Sequence, residues 1–242
     1  MSAPARARWR LQAVTPEDLA AYARDDKVQG RLAAVAQPWE SALTCQKWLL
    51  DSPPKRMIFE RLYGDLFARS GLRILDVGGG LTSFSRVLAS RHDYLLAELL
   101  AHGGDETTRR FLESAGPLRL HQADWTGVDA ALPPFDLVIA NDLFPNVDQR
   151  LELFLSSFSG RARELRLSLT YFESPRYYFA RRVDGEEILC MLQWDAAQLR
   201  HALERAAGDA VVDGLQALDR PGRSIFPNGR QVALLTVERG TA

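Results

Sequence analysis

Residues 74–82 read Ile74-Leu75-Asp76-Val77-Gly78-Gly79-Gly80-Leu81-Thr82. An apolar run that closes on an acid, then a glycine-rich turn, then the start of a helix predicts a strand, a tight loop and a helix in succession. Glycines let a backbone turn sharply and approach a ligand closely, and the first turn of a helix presents free N–H groups. The stretch therefore predicts a ligand-binding loop at the carboxyl end of a strand.

Strands and helices alternate along the chain on the C-terminal side of this stretch. Alternation of this kind predicts parallel crossovers and a doubly wound α/β sheet. The last two predicted strands have no helix between them, so one of them should run antiparallel. The predicted strands are 73–77, 93–98, 118–124, 135–140, 164–171, 211–218 and 232–237, and the predicted helices after the one that follows the glycines are 105–114, 147–158 and 195–207.

The segment before residue 70 has a different pattern. Residues 15–69 are typical of helices, and Thr15-Pro16 is a helix start signal. We therefore predict an N-terminal helical cap over 1–69 and a second domain over 70–242. Three of the five tryptophans fall in the cap, where they either pack it onto the next domain or line a substrate cleft; packing is favoured because buried aromatic rings mostly supply core area.

Composition and charge exclude several classes of protein. The chain has 242 residues, 46% hydrophobic and 25% charged, which excludes a disordered or fibrous chain. The formal net charge of -1 disfavours nucleic-acid and membrane partners. Two distant cysteines cannot form a disulfide framework, and no targeting or membrane-spanning segment is evident, so we expect a cytoplasmic protein.

Acids close the first three predicted strands, at Asp76, Glu98 and Asp124, and Trp125 follows the third. The carboxyl ends of strands in a doubly wound sheet meet at one crevice, which is the usual ligand site. Glu98 can accept hydrogen bonds from ribose hydroxyls, Asp124 from an exocyclic amine, and Asp76 can face the cationic end of a ligand. Taken alone, each acid is better explained as the cap of a turn or helix, and only the three together beside the glycines favour a cofactor site.

These residues together resemble the first motif and the following strand ends of the class I S-adenosylmethionine-dependent methyltransferases, with Thr82 in place of the third motif glycine. The resemblance implies an enzyme with a Rossmann-like seven-stranded sheet and a terminal antiparallel hairpin strand. It implies S-adenosylmethionine as the methyl donor and S-adenosylhomocysteine as the product. The residues that it assigns to the cofactor are Asp76, Gly78, Gly79, Gly80, Glu98, Asp124, Trp125 and Asn141.

The reaction site is predicted after the fourth strand, at Asn141 and Asp142. Asp142 could act as a general base or orient the nucleophile, and Asn141 could hydrogen-bond the substrate. An ordinary Asx turn before the next helix explains the same residues equally well. The Asn/Asp-Pro-Pro-aromatic motif of enzymes that methylate exocyclic nucleobase or glutamine nitrogens is not found here, which counts against that subclass.

Aromatic residues are concentrated in 171–179, at the end of the fifth predicted strand. We interpret this segment as a substrate lid in which Tyr171, Glu173 and Arg176 contact the acceptor, and a structural flap is the alternative. The four histidines show no metal-ligand spacing, so no metal is predicted.

The predicted function is methyl transfer to an oxygen or nitrogen of a small molecule, such as a natural-product or sugar intermediate. The alternatives are an inactive methyltransferase-like binding or partner subunit, and an RNA or protein methyltransferase. A nicotinamide-dependent oxidoreductase is disfavoured by Asp76 and by Ser83 at the third glycine position of a dinucleotide motif. Formation of a homo-oligomer is left open.

Overall fold

A computed structural model describes residues 7–100, 106–181, 188–219, 222 and 224–240 of the chain. The chain forms two compact units, one of residues Glu17–Leu132 and one of Met1–Pro16 with Pro133–Ala242. The division into 1–69 and 70–242 expected from the sequence stays a prediction.

The unit formed by residues 17–132 begins with helices. The Thr15-Pro16 start signal is followed by a helix, as predicted, and Ser52 caps the fourth helix by accepting the N–H of Lys55. The α-helices of this part are α1 (Pro16–Tyr22), α2 (Lys27–Val35), α3 (Thr44–Asp51) and α4 (Pro53–Tyr63), and 3-10 helices lie at Pro38–Ala42 and Gly64–Ala68.

Three parallel strands follow in the same unit, in the order β4-β3-β2. The strands β2 (Arg73–Val77), β3 (Asp93–Ala97) and β4 (Arg119–His121) alternate with the helices α5 (Ser83–Arg91) and α6 (Glu106–Ser114). The strand β4 is shorter than the predicted strand 118–124, because Asp124 caps a 3-10 helix at Trp125–Gly127. The alternation that the sequence predicts is therefore present.

The second unit contains five further strands that pair in the order β5-β6-β10-β1-β9. Pairing is parallel between β5 and β6 and between β1 and β9, and β10 is antiparallel to both of its neighbours. A separate antiparallel hairpin joins β7 to β8. The elements of this unit are β1 (Arg8–Ala13), β5 (Phe135–Phe144), α7 (Leu151–Phe158), β6 (Ala162–Tyr171), β7 (Arg176–Arg181), β8 (Ile188–Gln193), α8 (Ala196–Ala207), β9 (Val212–Asp213), a 3-10 helix at Leu215–Asp219 and β10 (Gln231–Glu238).

Two features of this unit differ from the sequence prediction. The predicted strand 211–218 is only the two-residue β9 followed by a 3-10 helix, and its partner is β1 rather than the last strand. The strand β1 lies in a segment predicted to be a cap without strands. Its burial alternates, with Trp9 and Leu11 buried between exposed neighbours, which is the period of a half-buried strand. The antiparallel orientation of the last strand and the Rossmann-like α/β fold class are confirmed.

Candidate functional site

The glycine-rich loop connects β2 to α5 and has little room for side chains. Gly78 and Gly80 have φ angles of 69° and 71°, in the left-handed region that glycine tolerates without strain. A Cβ on Gly79 would lie 2.3 Å from Oδ2 of Asp76, and a Cβ on Gly80 would lie 2.2 Å from Sγ of Cys45. Gly80 is therefore required both by its φ angle and by its neighbour Cys45, whereas Gly79 is required by the Asp76 carboxylate beside it.

Asp76 lies beneath this loop and is only 2% exposed. The hydroxyl of Tyr63 donates to Oδ1 at 3.0 Å, and the hydroxyl of Tyr94 donates to Oδ2. Burial raises the pKa of Asp76 to about 7 and outweighs the two tyrosine hydrogen bonds, and the nearby charge of Glu98 acts in the same direction as burial. Its contact with the cationic end of a ligand stays a prediction. Neither tyrosine was identified from the sequence, because no local pattern connects them to Asp76.

The N-terminus of α5 is held by side chains from the preceding helical segment. Thr82 caps the helix by accepting the N–H of Ser85, and Oε1 of Gln46 accepts the N–H of Ser83 at 3.0 Å. The Nε2 atom of Gln46 is buried and has no hydrogen-bond partner among the residues that the structure describes. A buried amide donor in this state is suited to an acceptor atom of a ligand.

Glu40 lies at the same helix end and is fully buried. It accepts hydrogen bonds from Oγ of Ser83 at 2.7 Å, from Nε of Arg86 at 3.0 Å and from the N–H of Gln37 at 2.6 Å. Burial raises the pKa of Glu40, but these hydrogen bonds, that of Arg86 above all, outweigh it and hold the pKa below its usual range. Sequence reasoning missed both Glu40 and Gln46, because the residue that they share as a partner, Ser83, is 43 and 37 positions away from them.

The two other predicted acids follow β3 and β4. Glu98 is half-buried, and its Oε1 accepts the N–H of Leu100 at 3.3 Å. Asp124 caps the 3-10 helix, where its Oδ1 accepts the N–H of Thr126 at 3.0 Å and the Thr126 hydroxyl at 2.6 Å. Trp125 is 5% exposed and packs in the core. Asp124 therefore acts as a helix cap in this structure, which was the alternative to a ligand contact. Ligand contacts of Glu98, Asp124 and Trp125 stay predictions.

Asn141 and Asp142 lie in the second unit, inside β5, where the pairing register with β6 shifts between Ala140 and Phe144. Asp142 has a φ angle of 56°, which is uncommon for a residue with a side chain. Its N–H donates to Oγ of Ser168 at 2.7 Å, and the same hydroxyl donates to Oδ1 of Asn141 at 2.8 Å. The buried Ser168 therefore holds the two predicted reaction-site residues in one conformation.

The carboxylate of Asp142 forms an ion pair that was not predicted from the sequence. Arg230 donates to Oδ1 of Asp142 at 2.8 Å, and Nδ2 of Asn146 donates to the same oxygen at 3.2 Å. Arg230 is 9% exposed and its guanidinium lies 4.0 Å from the centre of the Phe226 ring. Because the residues of this pair are 88 positions apart, no sequence motif connects them.

The aromatic segment 171–179 forms the end of β6 and the first strand of the hairpin. Tyr171 is 1% exposed and belongs to the core, and burial raises its pKa. Glu173 is exposed, and Nε of Arg176 donates to Oε1 of Gln193 at 2.6 Å. The contacts of Tyr171, Glu173 and Arg176 with a substrate stay predictions.

A narrow cleft with no room for a bound molecule lies beside the hairpin in the second unit. Its lining comes from the two strands of the hairpin and from residues at or just after the ends of β5, β6 and β8, namely Pro145, Asn146, Thr170, Phe172, Tyr178, Leu192, Gln193 and Trp194. Two of these residues, Phe172 and Tyr178, belong to the aromatic segment 171–179.

Within the described ranges, no group of three His, Cys, Asp or Glu side chains could hold a metal ion. None of the helices in the described part of the chain is long and apolar enough to cross a membrane.

Comparison with solved structures gives the fold. The Burkholderia thailandensis 1,6-didemethyltoxoflavin-N1-methyltransferase, solved with 1,6-didemethyltoxoflavin and S-adenosylhomocysteine bound, matches with a TM-score of 0.50 and 17% identity, over 100% of this chain and 94% of that chain. The chain has a class I methyltransferase fold.

Two other solved structures are similar at lower TM-scores. The DhpI complex with S-adenosylhomocysteine matches at 0.49 with 17% identity, over 93% of this chain and 97% of that chain. Magnesium protoporphyrin IX methyltransferase from Synechocystis PCC 6803 matches at 0.45 with 15% identity, over 88% and 97%. No protein-family model and no curated protein matches the sequence.

Proposed function

We propose that this chain is an enzyme that transfers a methyl group from S-adenosylmethionine to an oxygen or nitrogen of a small-molecule acceptor and releases S-adenosylhomocysteine. The observation that carries the proposal is the loop of Gly78, Gly79 and Gly80 between a parallel strand and a capped helix, in a chain with a methyltransferase fold. Glu98 and Asp124 follow the next two strands of the same unit.

The residues around this loop fit such a donor. Gly78, Gly79 and Gly80 carry no side chains, and within the described part of the chain the buried Nε2 of Gln46 has no hydrogen-bond partner. Glu98 is half-buried with carboxylate oxygens that suit ribose hydroxyls. When bound, the donor supplies an electrophilic methyl group on a sulfonium.

The chain itself has to orient the acceptor, because methyl transfer from a sulfonium depends mainly on in-line placement of the two reacting groups. Asn141 and Asp142 would do this, with Ser168 holding the N–H of Asp142 and the side chain of Asn141, and Arg230 holding the Asp142 carboxylate. In this assignment Asp142 orients the acceptor, since its Oδ1 already accepts two hydrogen bonds. The carboxylate of Asp76 packs against Gly79 of the glycine loop.

A small-molecule acceptor is supported by charge. The formal net charge is -1, and binding to nucleic acid depends on many cationic contacts to phosphates. This near-neutral charge suits a small organic molecule better than a nucleic acid.

The proposal is tested by calorimetric titration with S-adenosylmethionine, S-adenosylhomocysteine and NAD. We expect the two adenosyl ligands to bind and NAD not to bind, with Glu98→Ala and Asp124→Ala weakening binding about tenfold or more, as expected for the loss of a charged hydrogen-bond acceptor. Glu113→Ala is the matched control, because Glu113 is an exposed acid of the same unit that pairs only with the exposed Arg109 in the described contacts. Absence of adenosyl binding at millimolar concentration would overturn the proposal.

The alternative of an inactive partner subunit makes a separate prediction. Such a protein would bind the donor and never consume it. Incubation with radiolabelled S-adenosylmethionine and a panel of small acceptors distinguishes the two, because only an enzyme forms S-adenosylhomocysteine in an acceptor-dependent manner. Donor binding with no turnover on any acceptor class would favour the partner subunit.

A further inference from the structure

The carboxylate of Asp76 is buried beside the glycine loop and is held by neutral groups. Its two oxygens accept hydrogen bonds from the hydroxyls of Tyr63 and Tyr94. Among the described residues, no arginine, lysine or histidine pairs with Asp76, and the charged group that acts on it is Glu98, another acid. Buried charges in proteins are usually paired with an opposite charge. A cation brought by a ligand would supply the partner that the chain itself does not provide.

The two tyrosines match the ionised form of this acid. Each carboxylate oxygen of Asp76 accepts one hydroxyl, and each tyrosine hydroxyl has one proton to donate. A protonated acid would place a third proton among the same four oxygens, so that one hydroxyl would have to turn to a different acceptor. Burial, and then the charge of Asp76, raise the pKa of Tyr63 and of Tyr94 well above its ordinary value. Both hydroxyls therefore stay donors at neutral pH.

Aromatic packing fixes the ring of Tyr63. The Tyr63 and Phe59 rings are stacked with their centres 4.3 Å apart, and Phe59 is stacked in turn on Phe84 of α5, the helix that follows the glycine loop, at 4.9 Å. The second hydroxyl comes from Tyr94 in β3, which pairs with β2. The carboxylate that both hydroxyls hold lies against Gly79. The two tyrosines therefore place a buried acid directly beside the middle glycine of the loop.

Burial and the two hydroxyls act on the charge of Asp76 in opposite directions. Burial raises the pKa of Asp76 to about 7, the hydroxyls lower it, and Glu98 raises it further. The other titratable group that faces the cluster is the thiol of Cys45, which acts on Tyr63. Near neutral pH the acid is thus close to the balance between its neutral and ionised forms. A cation bound at the loop favours the ionised form.

We propose that Tyr63 and Tyr94 are positioning residues that keep Asp76 ionised beside the glycine loop, and that this charge makes the loop bind a cationic ligand in preference to a neutral one of nearly the same shape. The inference rests on the proposed function, because the cation is then the sulfonium of S-adenosylmethionine and its neutral counterpart is the thioether of S-adenosylhomocysteine. Methyl transfer removes this charge, since the electron pair of the broken S–C bond stays on sulfur. The same acid therefore favours release of the product.

The first measurement follows Asp76 in the free full-length chain. Urea midpoints with and without Asp76→Asn are compared as a function of pH, and the pH above which their difference levels off reports the ionisation of Asp76 in the folded state. Tyr63→Phe and Tyr94→Phe each keep the ring and remove one hydrogen bond to the carboxylate, so each should move this transition to higher pH. Tyr22→Phe is the matched control. It removes a tyrosine–aspartate hydrogen bond of 2.6 Å, to Asp26, in the same unit and should leave the transition where it is.

The second measurement is calorimetric titration with S-adenosylmethionine and S-adenosylhomocysteine at about pH 6 and about pH 8. The affinity for the first relative to the second should rise about fivefold between these values in the wild-type protein, because the ionised fraction of Asp76 rises. The rise is taken relative to that of Asp76→Asn, which corrects for titration of the ligands themselves. Tyr63→Phe should show a smaller rise, and Tyr22→Phe should match the wild-type protein. A purely structural role of the tyrosines would change both affinities by the same factor and leave their ratio constant.

The outcomes separate this inference from the proposed function. Binding of both ligands with a ratio that does not change with pH, or that Tyr63→Phe and Tyr94→Phe leave unaltered, would overturn this inference alone. If neither adenosyl ligand binds, the proposed function and the ligand preference both fail, and the measurement on the free protein still decides whether the tyrosines hold the charge of Asp76. If one tyrosine variant does not fold, the other carries the test, because both hydroxyls reach the same carboxylate.

Discussion

The hydroxyl of Tyr63, the last residue of α4, donates a hydrogen bond of 3.0 Å to Oδ1 of Asp76 in β2. Tyr94 of β3 donates to the other carboxylate oxygen, so two tyrosines from two elements hold one buried acid. A Cβ on Gly79 would meet this carboxylate directly. The glycine loop is therefore supported by a group that cannot move without breaking two hydrogen bonds.

Asp76 should make the stability of the fold depend on pH. Its pKa is about 7 in the folded state against 3.8 as the ordinary value, so the folded state holds a proton that the unfolded state loses between these values. The stabilisation is fully present below pH 3.8 and is lost as the pH rises towards about 7. The full loss is roughly 4 kcal/mol at most.

Urea midpoints measured across this range test the effect. Asp76→Asn has no titrating group, so its stability should change less between about pH 4 and pH 7 than that of the wild-type protein. Identical pH slopes for both proteins would show that Asp76 is not the group responsible.

Gly79→Ala should destabilise the protein by roughly 1–3 kcal/mol and weaken adenosyl-ligand binding, because the added Cβ would lie 2.3 Å from Asp76 Oδ2. Thermal denaturation and calorimetry measure the two effects. Gly30→Ala is the matched control. Gly30 lies within α2 with open space where the added methyl group would lie, so this change should stabilise by roughly 0.5–1 kcal/mol. If Gly79→Ala were as stable as the wild-type protein, the loop or the Asp76 carboxylate could move to make room for the methyl group without cost, which would contradict this prediction.

Glu40→Ala should destabilise the protein by about 2–4 kcal/mol, because it leaves Arg86 and Ser83 without their buried acceptor. The expected loss of stability lies towards the lower end of the range for breaking a buried ion pair, because the Arg86 side chain is 24% exposed and can reach water. Chemical denaturation at neutral pH measures it, and Glu113→Ala at the surface should have no measurable effect.

The same residue should contribute to acid denaturation. The pKa of Glu40 is lowered in the folded state, so its stabilising contribution is present above pH 4.5 and is lost as the pH falls through the folded pKa. The difference in stability between wild type and Glu40→Gln should therefore shrink on acidification below pH 4.5. A difference that stays constant would contradict this assignment.

Ser168→Ala should impair turnover more than donor binding. The hydroxyl links the N–H of Asp142 to the side chain of Asn141, and its loss leaves a backbone donor unpaired at a cost of roughly 1–3 kcal/mol. We expect kcat to fall and the affinity for S-adenosylmethionine to stay constant at a temperature where the variant is folded. Ser156→Ala on α7, where the hydroxyl contacts only a helix carbonyl among the described hydrogen bonds, should change neither quantity. A loss of stability with full kcat would make Ser168 purely structural.

The order of strands and helices around the glycine loop could be predicted because each signal is local. Alternation of apolar residues, glycines at a turn and caps at helix starts are all contained within a few neighbouring residues. The strand β1 was missed although its alternation is visible, because its partner β10 lies at the other end of the chain. Asp124 was recognised as a strand-end acid, and the capping alternative describes its contacts.

The fold class, the loop of Gly78, Gly79 and Gly80 and the acids that follow the strands can all be derived from the amino-acid sequence without coordinates. What these groups contact depends on tertiary packing: two tyrosines for Asp76, Arg86 for Glu40 and Arg230 for Asp142. The difference arises because secondary structure depends mainly on neighbours along the chain. A buried charge instead needs a partner that only the packing of distant segments brings within hydrogen-bonding distance.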